Sequence, residues 1–289
     1  MITLARGDCE ADLVPEIGGA VSRFTFAGQN VLRRAAKDAA DVREMGSFPL
    51  VPYANRIERG LLHFQGRAYR IPRNFCDHPH PLHGQGWRTA WRVASLSRYQ
   101  ATLAFDHSQG DDWPWAYSAE QVFVLTETGL RVRLSVRNRD TQAMPATLGF
   151  HPYYPRWPRT RLTASVSGMW LADDTMIPTE LVEAARFVDL GHGTHVSEAP
   201  FVDNSFTGWR GVARIDQPES GISVSLGGSV DCTVLHCFMP VGQSFFCAEP
   251  VSAMPNAFNR PEPAAETGAR VLAPGDTFAI EMILGVRRL

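Results

Sequence analysis

The stretch AEQVFVLTETGLRVRLSVRN, residues 119–138, alternates apolar and polar side chains on both sides of a short polar break. Successive side chains of a strand point to opposite faces, so this alternation indicates two half-buried strands. The break at 126–129 ends in a glycine, which can adopt the positive φ that tight hairpin turns require. The stretch therefore predicts a β-hairpin with Gly129 at positive φ.

The same period of two recurs along the chain, while helical periodicity is scarce. Further strand candidates lie at residues 20–32 (with a turn at Gly28), 89–105, 160–171, 221–228, 232–240 and 277–286. The best helical candidate, Ala35–Arg43, is short and lacks a cap. Many short strands, separated by 20 prolines and 24 glycines, predict an all-β protein: one large antiparallel sandwich domain spanning residues 1–289.

Charge and hydropathy exclude several classes of partner. The formal net charge is -2 over 289 residues, which gives no reason to expect binding to nucleic acid or to an anionic membrane. No apolar run approaches the roughly 18 residues that a membrane span needs. The first residues, MITLARGDCEADL, carry charges where a signal peptide would have its apolar region. These features predict a cytoplasmic protein.

The cysteines and one histidine cluster raise the question of a metal. The five cysteines are an odd number without paired spacing, so we interpret all of them as small core residues. His78, His80 and His83 have an HxHxxH spacing that could suggest zinc. However, prolines break this loop, and no glutamate stands at a metalloprotease spacing. We therefore expect neither a metal site nor a cofactor.

Five loop-like stretches carry more polar and aromatic detail than a sandwich needs for stability alone. They are YANRIERG (53–60), HPHPLHGQGWRTAW (78–91), GFHPYYP (149–155), FVDNSFTGW (201–209) and CAEPVSAMPNAFN (247–259). His151 stands before a proline, which favours extended geometry at the end of a strand. Each polar residue alone could be a turn, cap or surface group. Together they supply an arginine, two histidines and two carboxylates at strand ends, where a rigid scaffold commonly presents function.

The ordered set NRI, PLHG, GFHPYY, DNSF and EPxxxxPxAFN, spread over nearly the whole chain, resembles the aldose 1-epimerase (galactose mutarotase) family. The resemblance implies a β-supersandwich of two large antiparallel sheets. It also implies that Glu249 is the general base, His151 the general acid and His83 a second catalytic or binding histidine.

The resemblance further implies that Arg56 and Asp203 hold the sugar, and we expect the neighbouring Asn55 to belong to the same binding site. Two departures bear on the sugar preference. Many family members have phenylalanine and asparagine where this chain has Tyr154 and Pro155, and many read LHGG where this chain reads LHGQG.

The residue types suit mutarotation on chemical grounds as well. Opening a cyclic hemiacetal requires a base to take the anomeric hydroxyl proton and an acid to protonate the ring oxygen. A carboxylate and an imidazole are natural choices, with one group held ionised and the other able to donate. We therefore predict an isomerase that interconverts the α and β anomers of a hexose and needs no cofactor.

Two alternatives stay open at this point. A hexose-6-phosphate 1-epimerase would need an arginine cluster, which RWPRTR at 156–161 could supply, although a solvated charged loop is the simpler interpretation. A non-catalytic sugar-binding or sensing protein of the same fold would need neither proton-transfer group. The expected partner in each case is a small-molecule aldose or its phosphate, and the chain is expected to be a monomer or a homodimer.

Overall fold

The computed structural model describes residues Met1–Leu289 and is nearly all β, with every strand pair antiparallel. An N-terminal sheet contains four strands: β1 (Ile2–Arg6), β2 (Cys9–Val14), β3 (Ala20–Phe26) and β4 (Gln29–Asn30). Two further sheets have two strands each. One pairs β6 (Leu61–Phe64) with β7 (Arg67–Arg70), and the other pairs β12 (Met144–Ala146) with β24 (Arg270–Leu272).

Two large sheets make up the rest. The eight-stranded sheet contains β5 (Pro49–Leu50), β13 (Gly149–Phe150), β14 (Tyr153–Pro155), β16 (Gly168–Ala172), β17 (Pro178–Glu183), β19 (Val202–Thr207), β22 (Val234–Met239) and β23 (Phe245–Val251). The nine-stranded sheet contains β8 (Arg92–Leu96), β9 (Gln100–His107), β10 (Tyr117–Thr126), β11 (Gly129–Asn138), β15 (Arg161–Ala164), β18 (Thr194–His195), β20 (Val212–Gln217), β21 (Ile222–Gly228) and β25 (Thr277–Arg288).

The order of the strands places distant parts of the chain side by side. The eight-stranded sheet runs β17-β16-β19-β22-β23-β13-β5, with β14 also paired to β23. The nine-stranded sheet runs β18-β15-β20-β21-β25-β11-β10-β9-β8. Side chains from both sheets, such as Phe206 and Phe246 from one and Leu134 and Ile280 from the other, share a core cluster of 60 buried residues. The predicted architecture of two large antiparallel sheets is therefore confirmed.

The hairpin that opened the sequence argument forms as β10 and β11, and Thr126 pairs with Gly129 at its turn. The prediction of positive φ at Gly129 is wrong, because the φ angle of this residue is not positive. The glycine is needed for space instead: a Cβ atom there would lie 2.2 Å from the carbonyl oxygen of Leu284 on β25.

Helices are few and short. Turns of 3-10 helix lie at Val42–Glu44, Glu58–Gly60, Gly86–Arg88, Pro218–Ser220 and Ala257–Asn259, and the α-helix α1 spans Ala264–Thr267. The helical prediction for Ala35–Arg43 is wrong apart from its last two residues, which lie in the first of these turns. Asp41 caps that turn by accepting a hydrogen bond from the backbone N–H of Arg43, so the turn begins only there. None of the helices has the length and apolar character that crossing a membrane requires.

All five cysteines are free. The prediction that all five lie in the core is wrong for Cys76, which is exposed in the loop before the histidine cluster. Cys9, Cys232, Cys237 and Cys247 are buried, as expected.

Candidate active site

A cavity of about 220 Å³ lies against the eight-stranded sheet and is lined by fourteen residues. It is smaller than the roughly 300–1,000 Å³ typical of drug-sized ligands, which favours a small ligand. All six residues singled out from the sequence line this one cavity: Asn55, Arg56, His83, His151, Asp203 and Glu249.

Glu249 projects from β23, a strand inside the sheet whose neighbours are β22, β13 and β14. The residue is 1% exposed, and its Oε1 lies 3.4 Å from Nε2 of His151. Its second oxygen, Oε2, has no hydrogen-bond partner. Burial raises the pKa of Glu249 well above the ordinary glutamate value, with the negative charge of Asp203 adding to the effect and Arg56 opposing it.

His151 lies in the break between β13 and β14, where Pro152 interrupts the strand. Its backbone N–H donates to the carbonyl of Phe48 at 3.0 Å, and its ring packs against Phe48 and Tyr153 with centroid distances of 4.7 and 4.6 Å. Its Nδ1 has no partner. Burial lowers the pKa of His151 to about 3, and the positive charges nearby act in the same direction.

The two shifts give the pair a definite proton distribution. Since burial raises the pKa of Glu249 and lowers that of His151, it favours a carboxylic acid beside a neutral imidazole. From the sequence we expected the reverse, a carboxylate beside an imidazole able to donate. In either arrangement the two groups share one titratable proton and carry no net charge. This is the state that a site without water tolerates best.

Asp203 on β19 is held from two sides. Nη2 of Arg56 donates to Oδ2 at 2.9 Å, and Nε2 of His236 donates to Oδ1 at 2.9 Å. Burial opposes ionisation of Asp203, but Arg56 and His236 outweigh it and hold the pKa of this carboxyl below its usual value. Asp203 is therefore ionised with both oxygens paired.

His236 and Ser205 are site residues that sequence reasoning missed. The hydroxyl of Ser205 lies 2.9 Å from Nδ1 of His236, whose Nε2 faces Asp203. Asp203 and Ser205 are two residues apart on one strand, so they share a face. The signal was present in the sequence, because His236 is a polar interruption of the apolar run VLHCFM on β22.

Asn55 and His83 lock two loops together. Both adopt positive φ, at 61° and 58°. The backbone N–H of His83 donates to the carbonyl of Asn55 at 2.9 Å, and the backbone N–H of Asn55 donates to Nδ1 of His83 at 3.1 Å. Burial lowers the pKa of His83 well below its ordinary value, so the ring is neutral, and its remaining proton is on Nε2. His83 is thereby fixed as a hydrogen-bond donor.

Aromatic rings complete the cavity wall: Phe48, Phe75, Trp87, Tyr153 and Phe238. The two departures from the family pattern lie away from it. Tyr154 is fully buried and stacks on Phe246 with ring centroids 5.5 Å apart, and neither Tyr154 nor Gln85 lines the cavity.

The other histidines of the HxHxxH spacing have different partners. Nδ1 of His80 accepts from the backbone N–H of Arg59 at 2.8 Å, and its Nε2 lies 2.9 Å from the hydroxyl of Thr175. Nδ1 of His78 lies 3.2 Å from the backbone nitrogen of His80. These contacts explain both residues without a metal.

The arginines of RWPRTR also lie outside the cavity lining. The guanidinium of Arg156 donates to the carbonyl of Pro240, and that of Arg161 donates to the carbonyl of His192. Arg159 pairs with Glu219 at 3.4 Å. The cluster is used in surface contacts rather than directed at the cavity.

Comparisons with known proteins identify the family of the chain. The family model for aldose 1-epimerase matches residues 1–285. The uncharacterized protein YphB of Escherichia coli K12 is 32% identical over 295 residues, which cover 99% of each chain. The crystal structure of a candidate aldose 1-epimerase from E. coli K12 superposes with a TM-score of 0.90 at 32% identity, covering 99% of this chain and 98% of that one.

A galactose mutarotase-like protein from Clostridium acetobutylicum has the same fold, with a TM-score of 0.88 at 20% identity over 99% of this chain and 95% of its own. The match of the family model over nearly all 289 residues and the whole-length identity to YphB lead to one conclusion. The chain belongs to the aldose 1-epimerase family.

Proposed function

We propose that this protein is a mutarotase that interconverts the α and β anomers of a hexose. The observation that carries the proposal is the pair of Glu249 and His151, which are 3.4 Å apart and face a cavity of monosaccharide size. A protein that only binds sugar needs neither of these groups for proton transfer. An acid–base catalyst of ring opening needs such a pair.

In the proposed reaction Glu249 takes the proton of the anomeric hydroxyl while His151 gives a proton to the ring oxygen. The ring opens to the free aldehyde, the C1–C2 bond rotates, and the two groups exchange roles as the ring closes on the other face. Proton transfer by each positioned group is worth about 10²–10⁴ in rate. No electron or phosphoryl group moves, so the chemistry requires no cofactor.

The bound sugar is expected to provide hydrogen bonds that the buried pair of Glu249 and His151 lacks in the free protein. A sugar hydroxyl donates to the carboxylate, and its ring oxygen accepts from the imidazolium, so both charged forms gain hydrogen bonds that the protein alone does not provide. The unpartnered Oε2 of Glu249 is one acceptor available for this purpose. Sugar binding is therefore expected to shift the shared proton from Glu249 to His151 and make the pair competent.

The remaining residues hold the sugar in place. Asp203 accepts hydrogen bonds from sugar hydroxyls, Arg56 and Asn55 donate, and the Nε2–H of His83 donates to a sugar oxygen. The aromatic wall covers the apolar face of the ring.

An unphosphorylated aldose fits this site better than a sugar phosphate. The arginines at 156–161 make other contacts, and Arg56 is paired with Asp203. Arg43 lines the cavity but is paired with Asp41. No cation of the lining is free of an acidic partner and ready for a phosphate.

Exchange NMR on glucose, galactose and their 6-phosphates tests the proposal, because saturation transfer between the two anomeric protons measures interconversion directly. We expect faster exchange with protein than in buffer for at least one unphosphorylated hexose. Faster exchange only for a phosphate would replace the proposal with a hexose-6-phosphate 1-epimerase. A sugar that binds without acceleration would make the protein a sugar-binding protein.

A further inference from the structure

Cys247 lies beside the acid–base pair and has no part in the proposed reaction. It is two residues before Glu249 on β23, so both side chains point to the same face of the strand. One ligand atom each from Cys247, Glu249 and His151 lie within 4.8 Å of one another, and all three residues are buried. A thiol, a carboxyl and an imidazole therefore converge, and two of the three residues, Glu249 and His151, line the cavity.

The separation of the His151 and Glu249 ligand atoms suits a metal ion better than a hydrogen bond, and the sulfur of Cys247 lies within 4.8 Å of both. Nε2 of His151 and Oε1 of Glu249 are 3.4 Å apart. This exceeds the usual N–H···O range of about 2.7–3.2 Å. With zinc–nitrogen and zinc–oxygen bonds of about 2.0–2.2 Å, two ligand atoms of a tetrahedral zinc site are separated by about 3.4 Å. Independently, Oε2 of Glu249 is buried without a partner, as expected of an oxygen that awaits a ligand.

Charge and ligand softness narrow the choice of ion. One thiolate, one carboxylate and one neutral imidazole neutralise a divalent cation completely, so no net charge is buried. Sulfur and nitrogen ligands select zinc-like ions over magnesium and calcium, which prefer oxygen. Glu249 and His151 also line the cavity, which leaves a fourth position open to it.

We propose that His151, Cys247 and Glu249 form an inhibitory site for a thiophilic divalent cation such as Zn²⁺. On binding, the thiol proton of Cys247 and the one proton shared by Glu249 and His151 leave to solvent, and three lone pairs are donated to the ion without any change of oxidation state. The ion then occupies the atoms that would move protons on the sugar. Metal binding stands on its own, whereas inhibition of anomer exchange rests on the proposed function.

Cobalt(II) is the probe for the site, because a thiolate bound to Co²⁺ gives a charge-transfer absorption band in the near ultraviolet. We expect titration of the full-length protein with CoCl₂ to produce this band, to saturate near one equivalent, and to be reversed by Zn²⁺. Cys247→Ala should abolish the band. Cys76→Ala, which removes the exposed cysteine near the histidine cluster, should retain it.

Anomer exchange supplies the second measurement. Zn²⁺ should slow exchange by the wild type at least tenfold and EDTA should restore it, while Cys247→Ala should keep its basal rate and lose the sensitivity. If Cys247→Ala does not fold, as judged by circular dichroism, Cys247→Ser preserves size and also lacks the thiolate band. Absence of the band in the wild type, or an equal band and equal inhibition in both Cys247 variants, would overturn the site. A band without any sugar exchange would leave the site intact and overturn the proposed mutarotase function.

Discussion

The two walls of the cavity solve the problem of buried polar groups in opposite ways. On one wall, Asp203 is paired through both oxygens with Arg56 and His236, and Ser205 completes the chain of hydrogen bonds. On the other wall, Glu249 and His151 are as deeply buried, but Oε2 of one and Nδ1 of the other have no partner. We call these the paired wall and the open wall.

The difference separates a proposed sugar-binding carboxylate that the protein itself holds in place from proposed acid–base groups that still lack hydrogen-bond partners. A buried polar atom without a partner costs stability, whereas a fully satisfied network makes its members rigid. The Asp203 carboxylate on the paired wall is therefore held in place, although Nε of Arg56 has no partner, and the open wall holds reactive groups in a state that the sugar can complete. Substitutions on the two walls should separate stability from turnover.

On the paired wall, Asp203→Asn should cause the largest change. It leaves the buried guanidinium of Arg56 without its counter-ion, and breaking a buried ion pair costs about 3–5 kcal/mol. Sugar affinity should also fall more than turnover, because Asp203 binds hydroxyls in the ground and transition states alike. Urea unfolding measures the loss of stability. Asp231→Asn, which breaks an exposed pair with Arg270, should cost less than about 1 kcal/mol. Equal losses of stability in the two variants would show that the Arg56–Asp203 pair contributes no more than an exposed ion pair.

On the open wall, Glu249→Gln and His151→Asn should each lower anomer exchange by about 10²-fold or more. The double variant should be much less impaired than the product of the singles, because the two groups act in one step. Stability should change little in Glu249→Gln, since the buried carboxylic acid and the amide that replaces it are both neutral and similar in size. Exchange NMR and urea unfolding on the same samples measure both effects, with the exposed Glu266→Gln as the matched control. Near-normal exchange in Glu249→Gln would show that another group is the base.

The next largest effect is expected from lowering the pH, which changes the contribution of His151 on the open wall to folding stability. The folded pKa of His151, about 3, lies below its unfolded value near 6.5, so its contribution to stability is complete above pH 6.5 and is lost as pH falls toward 3. At pH 5 this loss amounts to about 2 kcal/mol. The raised pKa of Glu249 acts in the opposite direction, so the informative quantity is the difference between wild type and variant.

His151→Asn should therefore gain about 2 kcal/mol relative to wild type between pH 7.5 and pH 5 in urea unfolding. The exposed His195→Asn is the control and should follow the wild type. If the stability difference between His151→Asn and wild type is the same at both pH values, His151 is not buried as a neutral imidazole.

The smallest effect is expected from Ser205→Ala, at the far end of the paired wall. It removes the hydrogen bond to Nδ1 of His236 and should cost about 1 kcal/mol of stability. Because Ser205 acts through His236 and Asp203, KM should rise severalfold while kcat stays close to wild type. A fall in kcat without a change in KM would instead place this chain of hydrogen bonds in the chemical step.

The sequence predicted which residues form the site better than it predicted their protonation. Six residues from five separate motifs all line one cavity, because the motifs carry both residue type and order, although Glu249 was expected at a strand end and lies within β23. The proton on the open wall could not be foreseen, since it depends on burial that only the packed sheet creates. His236 was missed because it stands in the apolar run VLHCFM, without the glycine, proline and polar neighbours that mark the other motifs.

Local signals were weaker guides to backbone detail. Gly129 suggested a turn conformation, but the residue is required by the close approach of β25, a contact more than 150 positions away along the chain. The alanine-rich stretch at 35–43 has helical propensity, yet two of its alanines, Ala35 and Ala39, pack against a small core cluster that leaves the segment irregular. In both cases tertiary contacts outweighed local preference.

The cavity draws its walls from residues as far apart in the chain as Asn55 and Glu249. They are brought together by the pairing of β23 with β13 and of β13 with β5, the strand that precedes Asn55. Such a site has no local precursor along the folding pathway. Antiparallel folds rich in distant contacts fold slowly, because loop closure precedes the contacts that repay it. Recovery of sugar binding during refolding should therefore lag behind the burial of tryptophan, and this binding reports completion of the native sheet rather than collapse of the chain.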